Sequence, residues 1–230
     1  MKNSTLPTHI GFIMDGNGRW AKKRGLPRKF GHREGAKAFK KCVNLCVELE
    51  IKHTTFYAFS TENKNRPPDE VKALIELFDD YLDDVREMDA KNVRLKFIGD
   101  ISFFPEKTQK KMQEAENETK DNTGLTCVLA LNYGGRSEIL YAVEKFIEQG
   151  KDSKALTEEE FEKYLYTKGL PDVDLIIRTG GERRISNFLI WQTAYAEYVF
   201  TDVLWPDFGK KDLEAALTQF AERSRRFGGL

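Results

Sequence analysis

Apolar runs of strand length alternate with segments of helical periodicity along most of the chain. Residues 10–14, 54–59 and 125–131 are mostly apolar or β-branched, and between them apolar residues recur at every third or fourth position. A helix between successive strands is typical of a mainly parallel sheet that helices cover on both faces. The alternation therefore predicts an α/β fold with a central, mainly parallel sheet flanked by helices.

The same patterns predict the remaining elements. Strands are expected over 93–98 and 175–177, and helices over 105–120, 137–148, 158–166 and 211–225. Apolar stripes at helical spacing predict two further helices, around 36–47 and 71–85. The 230 residues contain no internal repeat, low-complexity tract or long linker, so we predict a single domain over 1–230.

Composition and charge narrow the class of protein. Lys plus Arg and Asp plus Glu both number 37, and this balance argues against nucleic-acid binding. No apolar run approaches the roughly 20 residues of a membrane span, and the first residues lack the apolar segment of a signal peptide. The three cysteines fit a reducing compartment. We therefore expect a cytoplasmic protein.

Polar, glycine-rich segments follow four of the predicted strands, at 15–20, 60–68, 132–136 and 178–186. Ligands of parallel sheets bind at the carboxyl ends of the strands, so we expect these segments to form one site. In the first segment, Gly16 and Gly18 would let backbone N–H groups approach an anion. Arg19, Arg28 and His32 would add donors and charge for a phosphate.

A second anion site is predicted in the last of these segments. Arg178, Arg184 and Ser186 flank a Gly-Gly pair, which is the arrangement expected around another phosphate. Two phosphates near Asp15 indicate a divalent cation that bridges a diphosphate, because Mg²⁺ commonly binds one or two carboxylates together with phosphates and water. Spacing leaves the second carboxylate open, and the candidates are Glu182, Glu197 and Asp207.

Five longer segments, at 9–36, 57–67, 122–136, 173–197 and 200–208, resemble the bacterial members of the cis-prenyltransferase family. The resemblance covers about residues 9–229. It implies a Mg²⁺-dependent homodimer that condenses farnesyl diphosphate with successive isopentenyl diphosphates, each step leaving a Z double bond. The product would be the polyprenyl lipid carrier for cell-wall polymers. Because that product is long and apolar, the resemblance also implies transient contact with the membrane surface for its release.

The resemblance also assigns roles to individual residues. Asp15 is implied as the catalytic aspartate and as a metal ligand, with Glu197 as the second ligand. Asn63 stands where the family removes a proton; a neutral amide is a poor base, so we expect it to position the substrate, or a water or diphosphate oxygen that takes the proton. The substrate-binding residues implied are Gly16, Asn17, Gly18, Arg19, Trp20, Arg28, His32, Ser60, Thr61, Glu62, Lys64, Arg66, Arg178, Arg184, Ile185, Ser186 and Arg226.

Three further predictions concern Lys64, Arg226 and the path of the growing chain. Lys64 replaces an aromatic residue of many bacterial members, which predicts altered substrate handling. Arg226 lies in a motif that in the family reaches into the partner subunit's site. An apolar tunnel for the growing chain is predicted, lined by Leu74, Ile75, Phe78 and the strand 127–131.

Three other functions fit parts of the sequence less well. A non-catalytic scaffold subunit of a cis-prenyltransferase complex would lack the catalytic aspartate and the Gly-Asn-Gly-Arg loop, both present here. A phosphohydrolase with Asp15 as nucleophile would want a second aspartate where Asn17 stands. The run 79–83 matches the acidic motif of trans-prenyl synthases, but the helical stripe turns Phe78 and Leu82 inward, so its aspartates are interpreted as a solvated face.

Overall fold

The computed structural model describes residues 6–82 and 85–223. Six strands in these residues form one sheet: β1 (His9–Ile13), β2 (His53–Ser60), β3 (Arg94–Ile98), β4 (Thr126–Tyr133), β5 (Leu175–Arg178) and β6 (Glu197–Phe200). Their order is β3-β4-β2-β1-β5-β6, and every neighbouring pair is parallel. The predicted α/β fold with a parallel sheet is confirmed.

Helices connect these strands and cover the sheet. They are α1 (Asn17–Lys23), α2 (Arg28–Glu48), α3 (Pro68–Leu82), α4 (Val85–Ala90), α5 (Glu106–Thr119), α6 (Gly135–Glu148), α7 (Glu158–Glu162) and α8 (Lys210–Glu222). A 3₁₀ turn, Thr61–Asn65, directly follows β2. Within the ranges given above, no helix is long and apolar enough to span a bilayer.

The structure differs from the sequence prediction in four elements. Helices α1 and α4 and strand β6 are absent from the prediction, because α1 carries too few apolar residues for a stripe and the other two are only six and four residues long. The helix predicted over 158–166 ends at Glu162. Beyond it the chain turns so that the Thr167 N–H donates to the buried Glu138 carboxylate at 3.2 Å. A buried carboxylate must be hydrogen-bonded, and this requirement overrides local helix propensity.

Side chains of the central strand β1 alternate between two cores. Ile10 and Phe12 belong to the larger core, where the Phe12 ring stacks on Phe56 with centroids 4.7 Å apart. Ile13 points into the core on the other face, with Ile176. Both faces of the strand are buried, which explains why its sequence is apolar at nearly every position.

The chain builds the sheet outward from β1 in two directions. Strands β2, β4 and β3 lie on one side of β1, and β5 and β6 lie on the other. The connections after β1 and β5 therefore leave the sheet in opposite directions at a shared carboxyl edge. Such a switch point opens the crevice in which parallel α/β sheets bind their ligands.

A buried histidine at the amino end of β1 makes the fold sensitive to pH. His9 is 1% exposed, and its two ring nitrogens lie 2.8 Å from the Pro171 carbonyl and 2.8 Å from the Thr55 hydroxyl. The carbonyl needs a donor, so Nδ1 carries the proton and Nε2 accepts from Thr55. Burial is the main cause that lowers the pKa of His9 to about 4.

We predict that this histidine makes the protein less stable in acid. An unfolded histidine titrates near 6.5, so the unfolded state binds more protons between about pH 6.5 and pH 4, and stability is lost as the pH falls through this window. The excess free energy of unfolding of wild type over His9→Asn should shrink by about 3 kcal/mol from pH 7 to pH 4. Urea unfolding at both pH values measures it, and a constant difference would contradict the prediction.

Candidate active site

Asp15 follows β1 at the carboxyl edge and lies between two arginines. Its Oδ2 is 2.9 Å from Nη2 of Arg178, and its Oδ1 is 3.0 Å from Nη2 of Arg19. The backbone is fixed as well, since the Asp15 carbonyl accepts from the Thr179 hydroxyl at 2.6 Å and from the Trp205 N–H at 3.1 Å. Asp15 is thus a rigidly placed carboxylate whose side chain stays 31% exposed.

Arg178 ends β5 and organises the loop that follows it. Its side chain is only 4% exposed, and Nη1 donates to the Ser186 hydroxyl at 2.8 Å and to the Arg184 carbonyl. The guanidinium of Arg184 points elsewhere and pairs with Glu182 at 2.6 Å. The three residues predicted for the second anion site therefore meet, but Arg184 contributes its carbonyl to this contact rather than its charge.

Gly180 permits the two sides of the crevice to approach. It adopts a left-handed φ of 87°, and a Cβ added there would lie 2.5 Å from Nη2 of Arg19. Its carbonyl accepts from Nη1 of Arg19. A residue with a side chain would be strained at this φ, and its Cβ would displace the Arg19 guanidinium and crowd the Asp15 carbonyl oxygen at 3.1 Å, so the position favours glycine.

A second cluster of charge joins α2 to α3. The Glu70 carboxylate accepts from Arg66 at 3.0 Å and from Arg28 at 3.2 Å, and it lies 3.8 Å from Nε2 of His32. Burial, followed by the nearby Arg66 charge, lowers the pKa of His32 to about 4, so the imidazole is neutral at physiological pH. The predicted residues Arg28, His32 and Arg66 thus lie together. Sequence reasoning missed Glu70, which resembled any other acidic residue in a first helical turn.

Two polar cavities share Asp15 in their walls. The first, of about 630 Å³, is lined by the glycine-rich segment 16–19 with Arg28, and the second, of about 560 Å³, by Ser60, Asn63 and Arg178 among others. Their combined walls carry two carboxylates, Asp15 and Glu62, and five basic side chains: Arg19, Lys22, Arg28, Arg66 and Arg178. An excess of positive charge around paired cavities favours two polyanionic ligands on either side of Asp15.

An apolar cavity of about 120 Å³ adjoins the polar ones. It shares Met14, Asn17 and His32 with both of them. Five of the residues predicted to line a tunnel are in its wall: Leu74, Ile75, Phe78, Leu129 and Leu131. The other three residues of the predicted strand are not: Cys127 is fully buried, and Val128 and Ala130 point into the core on the other face of the sheet.

Other predicted substrate-binding residues lie outside the two polar cavities. Trp20 donates from Nε1 to Asp207 at 2.7 Å and stacks under Arg24, so its polar contact lies with the 3₁₀ segment after β6. The Lys64 amine lies 4.9 Å from the centre of the Phe103 ring. Thr61, Arg184 and Ile185 also do not contribute to the two walls, and Arg226 lies outside the described residues.

Asn63 does line the second cavity, and its amide is partly engaged. The Ser60 N–H donates to Oδ1 of Asn63 at 3.2 Å, in a reciprocal capping box that stabilises the 3₁₀ turn. An amide oxygen that already accepts a backbone hydrogen bond suits the positioning role expected from the sequence better than that of a base.

The comparison with known proteins is decisive for the family. A family model described as "Putative undecaprenyl diphosphate synthase" matches residues 13–228, nearly the whole chain. The chain belongs to the undecaprenyl diphosphate synthase family. It is therefore a prenyltransferase, and the resemblance found in the sequence is confirmed.

Named relatives agree with this family. The isoprenyl transferase of Clostridium perfringens is 51% identical over 230 residues, which are 98% of this chain and 91% of the relative. The (2E,6E)-farnesyl-diphosphate-specific ditrans,polycis-undecaprenyl-diphosphate synthase of Photorhabdus laumondii is 50% identical over 232 residues, or 99% and 91% of the two chains. The crystal structure of lavandulyl diphosphate synthase from Lavandula x intermedia, in complex with dimethylallyl diphosphate, superposes with a TM-score of 0.94 at 37% identity, covering 98% and 100%.

Glu197, the predicted second metal ligand, lies away from Asp15 within one chain of this prenyltransferase. It begins β6 level with Leu175, whereas Asp15 follows the part of β1 that is level with Arg178, about 10 Å further along the strand direction. Its carboxylate pairs with Arg223 at 2.8 Å. Among the residues placed in the structure, no three His, Cys, Asp or Glu side chains cluster as a metal site.

We predict that Arg178→Lys impairs prenyl transfer. A lysine ammonium lacks the planar fork that bonds Asp15, Ser186 and the Arg184 carbonyl together. The value of kcat/KM should fall by about 10²-fold or more, because the loop would lose its fixed position. Steady-state assays of purified protein measure this, with Arg94→Lys, an exposed arginine at the start of β3, as the matched control. Wild-type kinetics in Arg178→Lys would contradict the prediction.

Proposed function

We propose that this prenyltransferase condenses farnesyl diphosphate with successive isopentenyl diphosphates, in the Z configuration, to make undecaprenyl diphosphate. One observation carries the proposal: Asp15 stands in the common wall of two basic cavities beside an apolar one. The two cavities suit the two diphosphates, and the apolar one suits a prenyl chain. The named specificity of the Photorhabdus laumondii relative supports farnesyl diphosphate as the starter.

In this proposal, the first cavity binds the allylic diphosphate through Arg19 and Arg28, and the second binds isopentenyl diphosphate through the loop fixed by Arg178. The allylic carbon–oxygen bond breaks, and its electron pair leaves with the diphosphate. The double bond of isopentenyl diphosphate attacks that carbon, and a proton leaves to form the new double bond. The arginines stabilise the charge that develops on the leaving group. Asn63 positions the isopentenyl group for proton loss.

Asp15 is the residue that would hold Mg²⁺. Its carboxylate lies at the wall of both cavities and stays partly exposed, and a single carboxylate with diphosphate oxygens and water is an ordinary ligand set for this ion. When bound, the ion would neutralise charge on the diphosphate. Glu197 stays a prediction as the second ligand, and within one chain its carboxylate is paired with Arg223 at the amino edge of the sheet.

A homodimer and membrane contact form part of the proposal. Helix α6 exposes Leu140 and Ile147, which are 71% and 67% exposed and two helical turns apart on one face. An apolar stripe on an outer helix supports association with a second copy. Membrane contact follows from the length and apolar character of the proposed product, which would be released at a peripheral position on the bilayer surface.

The first test is a product assay. Purified protein with farnesyl diphosphate, isopentenyl diphosphate and Mg²⁺ should yield a long, Z-rich polyprenyl diphosphate, read by mass and by double-bond geometry, and a chelator should abolish it. Asp15→Asn should lower turnover by about 10³-fold or more, since it removes the metal-binding charge. Its fold should persist, because the amide oxygen still accepts from Arg178.

A control substitution and the wild-type result separate an active synthase from a scaffold subunit and test the role of Asp15. Asp121→Asn, an exposed aspartate in the turn before β4, should keep wild-type turnover. No condensation by folded, magnesium-loaded wild type would instead favour a scaffold subunit that needs a catalytic partner. Equal turnover in Asp15→Asn would remove Asp15 from the mechanism.

A second prediction concerns product length. Ala58 lines both the second polar cavity and the apolar cavity, so it lies where the growing chain would pass from one to the other. Ala58→Leu should obstruct that passage and shorten the product while the first condensations continue. Ala58→Ser, which adds little volume, should leave the length distribution unchanged. Mass spectrometry of the products measures this, and a wild-type length in Ala58→Leu would place the chain elsewhere.

A further inference from the structure

Asn187, at the far end of the loop organised by Arg178, bonds to two other segments of the site. Its Nδ2 donates to Oε1 of Glu62 at 3.1 Å. Its Oδ1 accepts from the Arg136 N–H at 3.0 Å, and its carbonyl accepts from the Gly135 N–H at 2.7 Å. One half-buried residue thus joins the turn after β2, the start of α6 and the loop after β5.

The backbone at this point selects asparagine. Asn187 has a φ of 64° and Ser186 one of 49°, both in the left-handed region. Asparagine enters this region more readily than most residues with a side chain. Its amide also offers both a donor and an acceptor, and Asn187 uses both. Aspartate would lose the donor, and glycine would keep the backbone conformation but lose both side-chain bonds.

Two of these segments, the loop after β5 and the turn after β2, carry different parts of the proposed reaction. It directly follows Ser186, whose hydroxyl accepts from Arg178. Its partner Glu62 directly precedes Asn63 in the 3₁₀ turn, which the Ser60–Asn63 capping box makes rigid. A displacement of Glu62 would therefore carry Asn63 with it.

Glu62 is held as a carboxylate, which is what the amide of Asn187 needs as a partner. Partial burial opposes its ionisation, but hydrogen bonds from its own N–H and from Asn187, Ser60 and Thr61 outweigh this and keep the pKa of Glu62 below its ordinary value. The bond between Asn187 and Glu62 is therefore charge-assisted.

We propose that Asn187 is a positioning residue that sets the distance between the Ser60–Asn65 turn and the Arg184–Ser186 loop, acting through Glu62. This rests on the proposed function, in which the loop holds isopentenyl diphosphate and the turn places Asn63 over it. Asn187 thereby keeps the proton that isopentenyl diphosphate loses aligned with Asn63 and with the group that accepts the proton. Misalignment on the ångström scale is costly in such steps.

The central test is Asn187→Asp, which keeps the acceptor for the Arg136 N–H but sets a carboxylate against Glu62. At about pH 8, kcat/KM for isopentenyl diphosphate should fall by about tenfold or more, with Kd for farnesyl diphosphate little changed. Activity relative to wild type should recover toward about pH 5.5, because two adjacent carboxylates come to share a proton.

A second substitution should rescue the first. In Asn187→Asp/Glu62→Gln the donor and acceptor exchange places, so kcat/KM should rise about tenfold above that of Asn187→Asp. Asn187→Gly should lose activity like Asn187→Asp although it suits the left-handed backbone. Asn92→Asp is the matched control, since Asn92 also has a left-handed φ of 56° and bonds the Thr123 N–H with its side chain, in the turn before β3. It should keep wild-type kinetics.

The outcomes separate this inference from the proposed function. Wild-type kinetics in Asn187→Asp at an unchanged melting temperature would overturn the positioning role. A loss with a lowered melting temperature and no rescue by Glu62→Gln would show a merely structural role and overturn it too. If the wild type makes no polyprenyl product, the proposed function fails by itself. In that case, calorimetric measurement of isopentenyl diphosphate binding tests the positioning role of Asn187. Affinity that is lost in Asn187→Asp and restored in the double variant supports this role, and unchanged affinity in Asn187→Asp overturns it.

Discussion

The pairing of the buried Arg178 guanidinium with Asp15 is the interaction on which the site depends. A charge that is 4% exposed is costly unless it is paired and hydrogen-bonded, and Arg178 meets this need with Asp15, the Ser186 hydroxyl and the Arg184 carbonyl. These partners come from the end of β1 and from the loop after β5. One buried cation therefore fixes two segments that are distant in sequence, and it does so at the switch point of the sheet.

The other arginines of the site are also held by carboxylates. The walls carry more basic groups than acidic ones, and one carboxylate in the walls and one beside them hold four arginines in place. Asp15 does this for Arg19 and Arg178, and Glu70 does it for Arg28 and Arg66. Arginines held in this way are preorganised for anions, which is what stabilisation of a leaving diphosphate requires. Neutral His32 lets the apolar cavity begin beside them without a further charge.

Physical causes explain which elements and contacts could be predicted from the sequence and which could not. The strands around β1 were predictable because burial on both faces demands apolar residues at nearly every position, as Phe12 on one face and Ile13 on the other illustrate. Helix α1 was not, since it is stabilised by packing on α2 rather than by an apolar stripe of its own. The predicted trio of Arg178, Arg184 and Ser186 does meet, but the sequence could not tell that Arg184 would offer its carbonyl while its guanidinium turns to Glu182.

The alternation of apolar strands with helices specified the parallel sheet, and the polar segments after the strands specified which edge carries the site. Both are local patterns, because burial and turn chemistry act on neighbouring residues. Three features of the site arose only on folding: the pairing of Asp15 with Arg178, the grouping of Arg28, His32 and Arg66 around Glu70, and the placement of Glu197 at the other edge. Strand register and long-range hydrogen bonds set these distances. They join residues that are far apart in the chain, and no local sequence pattern indicates which residues will become partners.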